Sequence, residues 1–111
     1  MSDVSYAQSS RVQELSTIVF GQKHRLALMA AIAQSDGLVN PSDLAEQLDF
    51  RAQSALQKPL QDLIAAGLIT RENGPGRVYY RRNPHSLWES ALELLAQALA
   101  TEVTEAPVSE R

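Results

Sequence analysis

The sequence predicts a mainly α-helical domain carrying one small β-hairpin. Three observations lead there. Apolar residues recur at helical spacing in successive segments between residues 12 and 66, and again after residue 85. Over residues 68–82 that period gives way to two short runs rich in β-branched and aromatic residues, split by Asn73-Gly74-Pro75-Gly76. Helix-boundary residues, Asn40-Pro41 at one start and Gly67 at one end, punctuate the pattern where it changes.

Val12, Leu15, Ile18 and Val19 form the stripe of a short first helix, interrupted at Gly21. An Ala- and Leu-rich segment, residues 22–34, makes the second helix, stopped by Asp36-Gly37. Asn40 is a good N-cap, Pro41 is pre-set for the first helical position, and Asp43 suits the positive helix end. A third, short helix is expected over residues 41–48, burying Leu44, Ala45 and Leu48. Leu56, Leu60, Leu63 and Ile64 make the stripe of a fourth, over residues 53–66, with Ser54 and Gln57 at capping-box spacing. The hairpin follows with a longer, Gly-containing turn; Val78 and Tyr80 share one face, and Arg77, Tyr79 and Arg81 the other. A last helix spans residues 85–101, with Ser86 and Glu89 again at capping-box spacing.

The chain has 111 residues, with 44% hydrophobic and 21% charged, which is one soluble globular domain's worth. Residues 1–10 and 102–111 are small, polar or acidic and are expected to be disordered tails around a domain at 11–101. The absence of cysteine excludes disulfides, Cys-ligated zinc and iron–sulfur clusters. No apolar run approaches the roughly 20 residues needed to span a bilayer, and the first ten residues do not read as a signal peptide. A cytoplasmic location, with no membrane partner, is the expectation.

Helix, helix, short helix, helix, hairpin, long helix is the order of a winged helix-turn-helix with an added C-terminal dimerisation helix. Three stretches carry a family resemblance: residues 40–48 (NPSDLAEQL), residues 56–69 (LQKPLQDLIAAGLI) and residues 76–80 (GRVYY). With these the chain resembles the ArsR-type winged-helix transcriptional regulators, and more loosely the MarR and PadR types. The resemblance covers residues 22–82 directly, and residues 85–101 by position and pattern. It implies a bacterial-type, dimeric, repressor-like protein whose second helix-turn-helix helix enters the major groove of double-stranded DNA. Metal sensing is not implied, because the chain lacks cysteines and has Gln57-Lys58-Pro59-Leu60 where many relatives have a histidine.

The fourth helix presents Gln53, Ser54, Gln57, Lys58 and Gln61 opposite its leucines. Glutamine can read an adenine edge bidentately, and Lys or Arg reaches guanine or phosphate. Arg71, Arg77 and Arg81 of the hairpin, Arg51 before the helix and Ser42 of the short helix complete the candidate DNA contacts; Arg82 adds charge to the hairpin. Pro59 is awkward inside this helix, since it lacks an N–H and clashes with the Ala55 carbonyl. The helix either kinks there or becomes regular only near Pro59, and the kink is the expectation adopted.

The last helix carries more apolar residues than one core stripe needs. Leu87, Trp88, Ala91, Leu92, Leu95 and Leu99, with Val12, Leu15 and Val19 of the first helix, are the candidate homodimer interface. His85, Glu89 and Glu93 share a helix face at metal-compatible spacing, but the pattern reads as a solvated face, and no metal or other cofactor is expected. No nucleophile–base set, carboxylate pair or phosphate loop is visible, so no enzymatic activity is expected. No small-molecule effector can be identified. The leading function is a sequence-specific transcriptional regulator, a dimeric repressor reading an inverted repeat. The alternative is a winged-helix protein-interaction module without specific DNA binding.

The formal net charge of −3 is unevenly spread. Residues 51–82 hold six cations and two anions, net +4, whereas residues 86–111 hold five anions and one cation, net −4. The segment expected to face DNA is basic, and the acidic end is expected to limit non-specific attachment.

Overall fold

The computed structural model describes residues 6–51 and 53–108, with side chains through residue 101 except that of Gln53. Helix α1 (Ser10–Phe20) leads to α2 (Arg25–Gln34), strand β1 (Leu38–Val39) and α3 (Pro41–Gln47). A 3-10 turn (Gln53–Leu56) then enters α4 (Gln57–Ala65), and β2 (Ile69–Gly74), β3 (Arg77–Arg82) and α5 (Ser86–Val108) complete the chain. This is a winged helix-turn-helix: α3 and α4 are the helix-turn-helix pair, and β2–β3 the wing.

The centre is α2. Every residue from Leu26 to Ile32 is buried, so the helix is apolar all round rather than striped. Helices α1 and α5 both pack against it. On α1 the buried residues are Val12 and Ser16, whereas Ile18 and Val19 are 75% and 48% exposed. The apolar stripe expected on this helix is thus only partly its inner face. Ser16 is buried because its hydroxyl donates to the Gln22 carbonyl and accepts from the Leu26 N–H, closing the α1–α2 corner.

Helix boundaries in the helix-turn-helix follow local chemistry. Asn40 caps α3, its Oδ1 accepting from the N–H groups of Ser42 and Asp43 at 2.9 and 3.2 Å. Both helices end in paired reverse bonds: Phe50 N–H to Ala45 O with Asp49 N–H to Glu46 O, and Leu68 N–H to Leu63 O with Gly67 N–H to Ile64 O. The left-handed residue is Gly67 (φ 81°) after α4 but Asp49 (φ 61°) after α3.

Pro59 does not kink a helix. The 3-10 turn carries residues 53–56, and the α-helix starts at Gln57. Pro59 thereby falls in the first turn of α4, where an N–H has no intrahelical acceptor and the penalty for losing it vanishes. Leu56 occupies the cap position without a side-chain bond, so Ser54 and Gln57 form no capping box. Before α5, His85 Nδ1 accepts from the Leu87 N–H at 3.0 Å and takes the capping role expected of Ser86.

The sheet has the order β1-β3-β2, antiparallel throughout. The hairpin is tighter than expected: Gly74 pairs with Arg77, leaving Pro75 and Gly76 (φ 72°) as a two-residue turn. Proline first and a positive-φ glycine second is the combination of a type II turn. Arg82 is not a free wing cation. Its Nη1 donates to the carbonyls of Ile32, Ala33 and Ser35 at 2.7, 2.9 and 3.1 Å, capping the C-terminal end of α2.

The ends differ from the expected tails. Residues Tyr6–Gln8 form a 3-10 turn with Ala7 fully buried, and α1 begins at Ser10. The backbone of α5 continues to Val108, seven residues beyond the expected helix end. Residues 1–5 and 109–111, the remainder of those tails, lie outside the described residues. Among the described residues no helix is long and apolar enough to cross a membrane.

A candidate nucleic-acid interface

Helix α4, with the 3-10 turn before it, and the wing frame one open cleft of about 680 Å³. Ser54, Gln57 and Gln61 line one wall, and Arg71, Val78 and Tyr80 the other. The first three are exposed; α4 turns Leu60 and Leu63 inward, which leaves Gln57 and Gln61 on its polar side, and Ser54 lies in the 3-10 turn before it. Sheet register accounts for the other wall. Arg71 pairs with Tyr80 and Asn73 with Val78, so these share one face of the hairpin. Val78 and Tyr80 are half-buried on that face.

Arg77 and Arg81 lie on the opposite face with Glu72 and Tyr79. The Tyr79 ring covers Gly74, where a Cβ atom would stand 2.9 Å from its Cε2. Arg81 is engaged: its Nη2 donates to Glu72 Oε1 at 2.9 Å and its Nε to Oε2. Hydrogen bonds from Arg81 hold the Glu72 carboxyl below the usual carboxylate range. Lys58 is exposed yet pairs with Asp62 at 2.9 Å, and Asp62 also receives Arg25 Nη2 at 2.9 Å. The Lys58 hydrogen bond leads in lowering the Asp62 pKa, with Arg25 adding to it. Arg25 in this way ties the start of α2 to α4.

The cation tally therefore changes. Of the six between residues 51 and 82, Lys58, Arg81 and Arg82 have intramolecular partners. Arg51, Arg71 and Arg77 are exposed and form no ion pair among the described residues. Ser42 is exposed on α3 but outside the cleft lining, and the Gln53 side chain lies outside the described residues. Asn40, Pro41 and Ile64 line the cleft without having been expected there. Asn40 Nδ2 donates to Val78 O at 3.0 Å, linking the start of α3 to the wing. No pattern in sequence links positions 40 and 78; only the fold does.

The expected dimer residues divide in two. Val12, Trp88, Ala91 and Leu95 are buried within the chain's own core, and Trp88 Nε1 donates to Asn83 O at 2.8 Å. They are no surplus, since α1 and α2 cover that side of α5. Leu15, Leu87, Leu92 and Leu99 are half-buried at its margins, and Val19 is exposed. Among the described residues no group of three or more metal-ligating side chains comes together, His85 and its two glutamates included.

No protein-family model and no curated protein matches the chain. Solved structures do. The chain is similar to Bordetella bronchiseptica BpsR, whose DNA binding is regulated by 6-hydroxynicotinic acid, at 14% identity and TM-score 0.65, over 86% of this chain and 72% of that one. It is similar to AbsC, a MarR family transcriptional regulator from Streptomyces coelicolor, at 20% identity and TM-score 0.60, over 94% and 85%. It is also similar to the AntR antimony-specific transcriptional repressor at 20% identity and TM-score 0.53, over 94% and 86%. The likeness extends to MarR-type structures and does not single out the ArsR type. These matches establish for this chain the winged helix-turn-helix fold that those transcriptional regulators share.

Proposed function

We propose that the chain is a sequence-specific DNA-binding transcriptional regulator that acts as a dimeric repressor. The observation that carries this reading is the cleft in which Ser54, Gln57 and Gln61 of the reading helix face Arg71 of the wing. Amide side chains read base edges in the major groove, while Arg71, Arg77 and Arg51 neutralise phosphates. Lys58 and Arg81 serve first as intramolecular partners and contribute less. Two copies related by two-fold symmetry read an inverted repeat with half-sites about one helical turn apart. Exposed Ile18 and Val19 on α1, with the margins of α5, support pairing with a second copy.

Selection from a random oligonucleotide pool with the purified full chain tests this. An enriched inverted repeat is the expected result. No enriched sequence, together with no retention on heparin at low salt, would overturn it in favour of a protein-interaction module.

A further inference from the structure

Among the described residues the buried polar side chains are Ser16 and Asn40. Ser16 closes the α1–α2 corner. Asn40 closes a different one. Its Oδ1 accepts from the Ser42 and Asp43 N–H groups of α3, while its Nδ2 donates to Val78 O of β3 at 3.0 Å. Only this orientation of the amide satisfies both ends.

Sheet register explains why a side chain is needed at this point. Arg82 N–H donates to Gly37 O, and Leu38 and Val39 pair with Arg81 and Tyr80. Bonded pairs alternate along an antiparallel ladder, so those after Gly37–Arg82 are Val39–Tyr80 and then Pro41–Val78. Asn40 is still extended (φ −119°, ψ 137°), but Pro41 has no N–H to give. The ladder stops one rung short, and the Asn40 amide supplies the missing donor. Asn40, Pro41 and Val78 line the same cleft as Gln57, Gln61 and Arg71. Helix α3 in turn packs against the 3-10 turn that enters α4. We propose that Asn40 is a positioning residue: it fixes the spacing of wing and α4, so that Gln57 and Gln61 reach base edges while Arg71 reaches phosphate. The DNA contacts rest on the function proposed above; the spacing is a property of the free chain.

Asn40→Ser tests this. Serine caps a helix as well as asparagine does, but it has no amide to extend to Val78. The chain has no cysteine, so nitroxide labels can be placed through Ala65→Cys and Asn73→Cys. Both positions are exposed, one on α4 and one on β2, and neither is a proposed DNA contact. Double electron–electron resonance on the full chain without DNA is expected to give a narrow distance distribution with Asn40, and a broadened or displaced one with Asn40→Ser. Fluorescence anisotropy, well below the unfolding transition, then compares the inverted repeat enriched by selection with a random duplex of equal length. Asn40→Ser is expected to weaken binding to the repeat about tenfold, the worth of one bidentate base contact. Binding to the random duplex stays unchanged, because the cations that meet phosphate are the same. A merely destabilising change weakens both alike. Adding Pro41→Ala to Asn40→Ser returns a backbone N–H opposite Val78, and is expected to restore both the distances and the affinity. An unchanged distance distribution in Asn40→Ser, equal effects on the two duplexes, or no recovery in the double variant would overturn the assignment. If the chain with Asn40 enriches no sequence, the DNA-binding reading fails, and the label distances alone confirm or refute the spacing.

Discussion

Arg82→Met separates a structural arginine from the ones proposed to contact DNA. Methionine keeps the unbranched apolar stem and removes the guanidinium. In the native chain Nη1 reaches three carbonyls at the end of α2, at 2.7, 2.9 and 3.1 Å. One nitrogen has only two hydrogens, so these amount to about two charge-assisted bonds, each worth roughly 1.5–3 kcal/mol. Arg82 is half-buried, and water replaces part of what is lost. The cation's interaction with the helix dipole adds about 0.3–1 kcal/mol. The net expectation is a loss of about 3 kcal/mol, or roughly 10–20 °C in Tm for a domain of this size. Urea and thermal unfolding measure it. Salt-dependent DNA binding, measured below the unfolding transition, is expected to keep its native slope, because this arginine is turned toward α2. A loss under about 1 kcal/mol, or a salt slope reduced as much as in Arg77→Met, would refute the capping assignment.

Four further outcomes are expected. Arg71→Ala and Arg77→Ala each reduce the slope of log affinity against log salt by about 0.9, whereas Arg81→Ala, already neutralised by Glu72, changes it less; fluorescence anisotropy over a salt series decides. Asn40→Ala costs about 2 kcal/mol in urea unfolding, because it removes the α3 cap and leaves the Val78 carbonyl without its donor. Stability falls with acidification through His24. Its folded pKa lies below 6.5, so the unfolded chain takes up the proton first; this contribution is complete above pH 6.5 and is lost as pH falls toward the folded value. His24→Gln removes that part of the pH slope in unfolding measurements. Finally, light scattering at micromolar concentration gives a dimer mass, reduced toward a monomer by Val19→Glu; a monomer under conditions where DNA is bound would refute the paired arrangement.

The fold was legible because its local signals agree. Asn40-Pro41 starts α3, Gly67 ends α4, and the change of period after it marks the wing. Strand β1 escaped notice because two residues cannot show a period. The hairpin turn was read too long because Asn73 and Gly74, turn residues by type, continue β2. The order of 3-10 turn and α-helix at Pro59 was one of two readings the residues allowed. The site was legible in part. Gln57 and Gln61 follow from the helical period, and the alternation of β2 puts Arg71 on one face. Which cations are free did not follow, because Asp62, Glu72 and the α2 carbonyls recruit theirs from positions up to 50 residues away.

By itself, the sequence determined the kind of domain, the order of its elements and the polar face of α4. Those depend on period, capping and turn chemistry, which act over a few residues. Tertiary structure decided which apolar residues of α1 and α5 the chain's own core consumes. It also decided which arginines stabilise the fold and which face solvent. Both depend on what lies across space: packing buries Trp88 and Val12 against α2, and a carbonyl or carboxylate of another element claims Arg82, Arg81 and Lys58. A pattern along the chain records the charge of a side chain but not the partner that neutralises it.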